Sequence, residues 1–199
     1  MQKKARIGFA LCGSFCTFAA VIPQLAALAR DGYEIFPIMS QTAYTTDTRF
    51  GKAADFNSEI EALCSKSIMH RLTDVEPIGP KKLLDLLIIA PCTGNTLAKL
   101  ASGISDTPVT LAAKAHLRNE RPVLIAPSSN DALAANAKNI GTLLNVRHIY
   151  FVPFGQDDPY KKTSSLVADM DMIQPAAEAA LQRRQIQPMF IQHDYPGAG

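Results

Sequence analysis

The 199 residues include no tryptophan, only four cysteines, and no marked excess of charge, with 20 Lys+Arg against 18 Asp+Glu. Each shortage excludes a class of function. Nucleic-acid binding draws its affinity from clustered basic side chains on phosphates; no basic block is present, so no nucleic-acid partner is expected. The longest apolar run, 83–91, is broken by Asp85 and falls far short of the roughly 20 residues that span a bilayer, so no membrane partner is expected either. Cys12, Cys16, Cys64 and Cys92 form no C-x-x-C pair, and the four histidines are scattered. That pattern suggests neither a metal site nor a disulfide framework, and each cysteine reads as a small buried hydrophobe. Gly8 and Gly13 are too far apart for G-x-G-x-x-G and the Walker phosphate loop is missing, which disfavours a classical NAD fold. The basic start and apolar stretch over 1–18 read as a first strand and turn rather than a secretion signal, so a cytoplasmic location is expected.

With 47% hydrophobic residues, the composition describes one soluble domain. It is expected over 1–188, followed by a tail over 189–199 that ends a stretch rich in Gln, Pro and Gly. Apolar, β-leaning runs predict strands over 6–11, 34–39, 86–90, 123–126 and 148–152. Helical periodicity predicts helices over 15–30, 55–65, 95–103, 107–117, 131–144 and a long final one over 164–184. Strands apolar on both faces, alternating with amphipathic helices, predict an α/β fold: a doubly wound, Rossmann-like parallel sheet with helices on both faces. Ligands bind such sheets outside the carboxyl ends of the strands.

Three polar turns fall on that edge. Gly13-Ser14 follows the first strand; the glycine permits a tight turn, the serine can cap a helix, and helix-start N–H groups attract an anion. After the third strand, Pro91-Cys92-Thr93-Gly94-Asn95-Thr96 offers two hydroxyls and an amide within one turn. The fourth strand ends in Pro127-Ser128-Ser129-Asn130-Asp131. Any one of these is most often an ordinary capped connection, but three on one edge make a site. A single phosphate cradle suits a mononucleotide better than a dinucleotide.

The Gly-Ser turn, I-A-P-C-T-G-N-T-L-A-K over 89–99 and A-P-S-S-N-D-A-L over 126–133 resemble the flavoprotein family of homo-oligomeric flavin-containing cysteine decarboxylases, which also takes in flavin prenyltransferases. The resemblance runs from about residue 6 to 188. It implies FMN as cofactor, bound at the carboxyl edge of the sheet, and a homo-oligomer. Carried over by motif, Gly13, Ser14 and Ser40 would meet the phosphate or ribityl chain, and Thr93, Gly94, Asn95 and Thr96 would provide a second helix start. Ser128, Ser129 and Asn130 would lie nearer the ring system or the substrate.

Two departures bear on the reaction. Where family decarboxylases carry a histidine ahead of the I-A-P turn, this chain has Pro77, which cannot move a proton, and the nearest upstream histidine is His70. The P-x-M-N-x-x-M-W substrate motif keeps only Pro127 and Asn130, with Ser129 and Leu133 in place of the methionines. Peptidyl-cysteine decarboxylation is therefore not expected.

The segments T-D-T-R-F-G-K (46–52), R-N-E-R-P-V (118–123) and F-V-P-F-G-Q-D-D-P-Y-K-K (151–162) resemble one branch of the family, from spore-forming bacteria. That resemblance implies one subunit of an oxidoreductase of the mother cell. It would help form a planar pyridine dicarboxylate from a dihydro precursor, together with a second subunit that has a nicotinamide-binding fold. A small dicarboxylate substrate calls for fixed cations. Arg49 is the first candidate, with Lys161 and Lys162 second; no residue is assigned to catalysis. The alternatives are a flavin-dependent decarboxylase or prenyltransferase of the same fold, or a non-catalytic assembly protein.

Overall fold

The runs LLIIAPC and VLIAPSS are buried along their whole length, as central strands covered on both faces must be. A computed structural model describes residues 4–191. In chain order its elements are β1 (Arg6–Leu11), α1 (Phe18–Arg30), β2 (Glu34–Met39), α2 (Gln41–Thr45), α3 (Ala53–Cys64), α4 (Leu72–Val75), β3 (Leu86–Cys92), α5 (Gly94–Ala101), α6 (Pro108–Leu117), β4 (Val123–Ser129), α7 (Ala137–Leu144), β5 (Ile149–Phe151), β6 (Phe154–Gly155), β7 (Leu166–Ala168) and α8 (Ile173–Leu181). Short 3-10 turns lie at Phe15–Thr17, Glu76–Ile78 and Met170–Met172.

Among the described residues the sheet has seven strands. β2, β1, β3 and β4 lie side by side and parallel, and β5 pairs in parallel with the amino-terminal half of β4. Helices α1 and α8 pack together on one face, and α5, α6 and α7 on the other, which makes the sheet doubly wound as expected. Successive connections run in opposite directions, from β1 to β2 and then from β2 back past β1 to β3. The crevice between β1 and β3 is thus the topological switch point, where ligands of such sheets bind.

At the opposite edge, Asp85 ties the amino ends of the strands together. It accepts from the Arg6 N–H at 2.9 Å and forms ion pairs of 3.0 Å with both Arg6 and Arg121. No helix of the described residues is long and apolar enough to cross a membrane.

Three expectations need correction. The helix expected over 164–184 begins only at Ile173. Leu166–Ala168 instead forms β7, antiparallel both to the carboxyl end of β4 and to β6. A three-residue apolar run has no period of its own, and the open edge of β4 decides its conformation. The helix expected over 131–144 begins at Ala137, because Asp131 binds Ser129 at 2.5 Å and Asn136 at 2.8 Å and folds 131–136 into turns. Strands β3 and β4 also run past Pro91 and Pro127, to Cys92 and Ser129. The Pro91 carbonyl accepts from the Cys12 N–H at 3.2 Å, and Ser128 and Ser129 pair with β7. Of the expected tail, Met189 and Ile191 hydrogen-bond with Phe154 at 3.0 Å; residues 192–199, like 1–3, lie outside the described residues.

Candidate functional site

The carboxyl ends of β1, β3 and β4 open into a cavity of about 970 Å³, at the upper end of the roughly 300–1,000 Å³ usual for small-molecule sites. Its walls bring together Gly13, Ser14, Thr93, Gly94, Asn95, Ser128, Ser129, Asn130, Arg49 and Lys162. Ser40, Thr96 and Lys161 stand outside this lining. Ser40 is spent as the cap of α2, accepting from the Ala43 N–H at 3.2 Å. Thr96 is buried and turns its hydroxyl to Cys12 Sγ at 3.3 Å. The Lys161 N–H is tied to the Asp158 carboxylate at 3.1 Å.

Each wall is held by its own local chemistry. Ser14 precedes a 3-10 turn, not the first α-helical residue, and its Oγ lies 2.8 Å from Ser128 Oγ. The turns after β1 and β4 therefore touch across the end of β3. Thr93 caps α5, accepting from the Thr96 N–H at 3.4 Å. The N–H groups of Gly94 and Asn95, at the start of α5, have no partner within the helix.

Gly94 is required by space. A Cβ there would stand 2.6 Å from both Asn136 Nδ2 and Ser129 Oγ, and 2.7 Å from Asp131 Oδ1. Asp131 is the hub of this corner. Ser129 holds its carboxyl below the ordinary range, Asn136 assists, and partial burial opposes them. Asp131 therefore stays an anion that fixes both neighbours.

Arg49 sits at the tip of a two-residue turn closed by reciprocal Thr48–Gly51 hydrogen bonds of 3.0 and 3.1 Å. Gly51, at φ 152°, leaves only 2.7 Å between its would-be Cβ and the Phe56 ring. The turn is thus specific to glycine, and it presents the exposed Arg49 guanidinium over the Phe50 ring, 4.9 Å from its centre. On the rim formed by the 156–165 loop, Lys162 Nζ pairs with Asp157 at 2.8 Å. Asp157 raises the Lys162 ammonium. Burial opposes ionisation of Asp157, but Lys162 and Ser165 outweigh it and hold that carboxyl low.

The uniform reading of the cysteines is corrected at one position. Cys12, Cys64 and Cys92 are buried, but Cys16 is exposed on the cavity wall. Burial pushes the Cys12 thiol up to about 11 and Cys64 up to about 12, and lifts Cys92 as well, so these three stay protonated and inert. Among the described residues no histidine lines the cavity. His70 stacks on Tyr44 at 3.7 Å, and Pro77 lies in the Glu76–Ile78 turn. Sequence reasoning missed Asp131, although it stands inside a quoted motif two residues from Ser129. It also missed Ser165 and Val167, concealed by the expected helix.

A carboxyl-edge pocket at the switch point, walled by hydroxyls and helix-start N–H groups, is the ligand-site position of a doubly wound, Rossmann-like fold. The model of the family described as Flavoprotein matches residues 1–180, and the chain belongs to that family. It is 44% identical over 191 residues to the B subunit of dipicolinate synthase from Bacillus subtilis, covering 96% of each. The crystal structure of the B subunit of dipicolinate synthase from Bacillus halodurans matches with a TM-score of 0.87 at 42% identity, covering 94% of this chain and 96% of that one. The FMN-dependent cysteine decarboxylase SpaF matches with a TM-score of 0.60 at 26% identity, over 91% of this chain and 98% of its own. The chain is thus a homologue of the B subunit of dipicolinate synthase, in a family whose members include decarboxylase and prenyltransferase enzymes.

Proposed function

We propose that the chain is the FMN-binding subunit of a dipicolinate synthase and helps oxidise a dihydrodipicolinate-type precursor to pyridine-2,6-dicarboxylate. The observation that carries this reading is the convergence of three separate polar turns on one cavity of about 970 Å³. The donor set fits a flavin mononucleotide. Hydroxyls of Ser14, Thr93 and Ser128, with the N–H groups of Gly94 and Asn95, can satisfy a phosphate or ribityl chain without a lysine. Gly94, where any side chain would strike Asn136, Ser129 and Asp131, lets the start of α5 sit close against the 129–136 turn. Asp131 places a fixed negative charge in the same corner, so the phosphate belongs on the Ser14 side and the polar ring edge nearer Ser129.

When bound, FMN supplies a two-electron acceptor, the chemistry that aromatisation of a dihydropyridine needs. The protein's share is binding and orientation. Arg49 and Lys162 are the cations on the lining, and they would grip the substrate carboxylates. Lys161, outside the lining, is dropped from that role. The absence of histidine from the lining among the described residues, with Pro77 in a structural turn, disfavours the decarboxylase alternative.

The Bacillus subtilis relative is one subunit of a larger synthase, and this chain would act with the corresponding A subunit of dipicolinate synthase. It would do so as a homo-oligomer, in the cytoplasm of the mother cell of a spore former, with 1–188 as one domain. The test is Arg49→Ala in the full chain with FMN added. A charge-assisted hydrogen bond contributes about 1.5–3 kcal/mol, and exposure takes the lower end. Calorimetry should show pyridine-2,6-dicarboxylate bound about tenfold more weakly, with FMN affinity unchanged. Equal dicarboxylate affinity in both proteins would return Arg49 to the solvated surface.

A further inference from the structure

Two of the four charged side chains on the cavity wall already hold each other. Lys162 Nζ stands 2.8 Å from Asp157 Oδ2. The loop that carries them is closed on itself: the Lys162 N–H donates to the Asp158 carbonyl at 2.8 Å, the Ser165 N–H to the Lys162 carbonyl at 2.9 Å, and Gln156 Nε2 to the Thr163 carbonyl at 2.9 Å. The lining therefore sums to zero formal charge, with Arg49 and Lys162 against Asp131 and Asp157. An anionic ligand entering a neutral lining gains little unless one of those carboxylates moves aside. Asp131 cannot, because Ser129 at 2.5 Å and the buried Asn136 at 2.8 Å engage both of its oxygens. Asp157, 25% exposed and hydrogen-bonded also to the buried Ser165, is held on that side only; its contact with Lys162 can part, because the lysine lies on a loop and is 57% exposed.

We propose that Asp157 is a built-in competitor for the substrate: it occupies Lys162 while the cavity is empty, and the second carboxylate of a dicarboxylate binds by exchanging with it. The inference rests on the dicarboxylate reading above. A monocarboxylate engages Arg49 alone and leaves the Lys162–Asp157 pair intact. A dicarboxylate engages Arg49 and swaps one carboxylate for another at Lys162, so its second contact adds little net affinity. Asp157 then reclaims the lysine as the product leaves. The aspartate thus caps affinity for the dicarboxylate and favours release over accumulation of bound product.

The experiment is calorimetry on the full chain with FMN added, using pyridine-2,6-dicarboxylate and pyridine-2-carboxylate as probes. Asp157→Asn should tighten the dicarboxylate about two- to fivefold, the scale of an exposed ion pair, and leave the monocarboxylate unchanged. Asp157→Ser should act in the same direction, and in a Lys162→Met background Asp157→Asn should have no effect. If the dicarboxylate binds the wild type but binds Asp157→Asn and Asp157→Ser equally or more weakly, Asp157 only positions the lysine and the inference is overturned. If no protein in the set binds the dicarboxylate, the substrate reading falls and this inference falls with it.

Discussion

Replacing Gly94 by alanine is expected to weaken FMN binding and to destabilise the fold at the same time. The added Cβ would lie 2.6–2.7 Å from three polar atoms, Asn136 Nδ2, Ser129 Oγ and Asp131 Oδ1. None of these is the loose end of a flexible chain, since Asn136 is buried and Asp131 binds both of the others. Either the start of α5 or the 129–136 turn must shift, and overpacking of this kind costs about 1–3 kcal/mol. The same shift separates the N–H groups at the start of α5 from the Ser14–Ser128 wall. Loss of one charge-assisted hydrogen bond then weakens FMN about ten- to a hundredfold. Thermal melts together with a flavin fluorescence titration check both parts. Unchanged FMN affinity in a destabilised protein would place the cofactor away from α5.

Stability should also fall steeply between neutral pH and about pH 4, because of His116. This side chain on α6 is 1% exposed, and its Nε2 has no hydrogen-bond partner. Burial first, then the nearby Arg121, lower its pKa from 6.5 to about 4, with the Pro122 carbonyl and Asp85 pulling the other way. In the unfolded chain the imidazole takes up its proton near the ordinary value, whereas the folded protein refuses it until about pH 4. The unfolded state therefore binds more protons across that window. Stability is fully present above the ordinary histidine range and declines as pH falls towards 4, by about 3 kcal/mol at most. His148, lowered by burial and by Arg147 and Arg183, acts in the same direction. Carboxylates held low, such as Asp85, add their own loss only at more acid pH. Urea denaturation at pH 7 and pH 4.5 should show the loss in the wild type and a much smaller one in His116→Gln. Parallel behaviour of the two proteins would assign the acid sensitivity elsewhere.

Much of the fold was legible because its signals are local. β1, β2, β3 and β4 are continuous apolar runs, and α1, α3, α5 and α6 carry helical periodicity between them, which is enough to specify the alternation and the edge that holds the site. What was not legible depended on contacts far along the chain. Leu166–Ala168 looks helical beside the residues that follow it and becomes a strand because β4 leaves an edge open beyond β5. The 131–136 turns follow from one carboxylate satisfying Ser129 and Asn136 together, a choice no periodicity records. The site divides in the same way. Residues of the three turns reach the cavity because strand ends place them there. Thr96 lies within 3.1 Å of Thr93 and still turns its hydroxyl inward to Cys12, since Thr93 is the extended cap ahead of α5 and Thr96 is inside its first turn. Lys161 and Lys162 are neighbours in sequence, and only the second lines the cavity.

The measurement that tests the account most directly is an equilibrium titration of FMN into the full-length chain, followed by flavin fluorescence and the visible spectrum. Saturable binding of one FMN per chain is expected, with a structured visible band that differs from free flavin. A folded chain that leaves the spectrum and fluorescence of FMN unchanged at every concentration would contradict it.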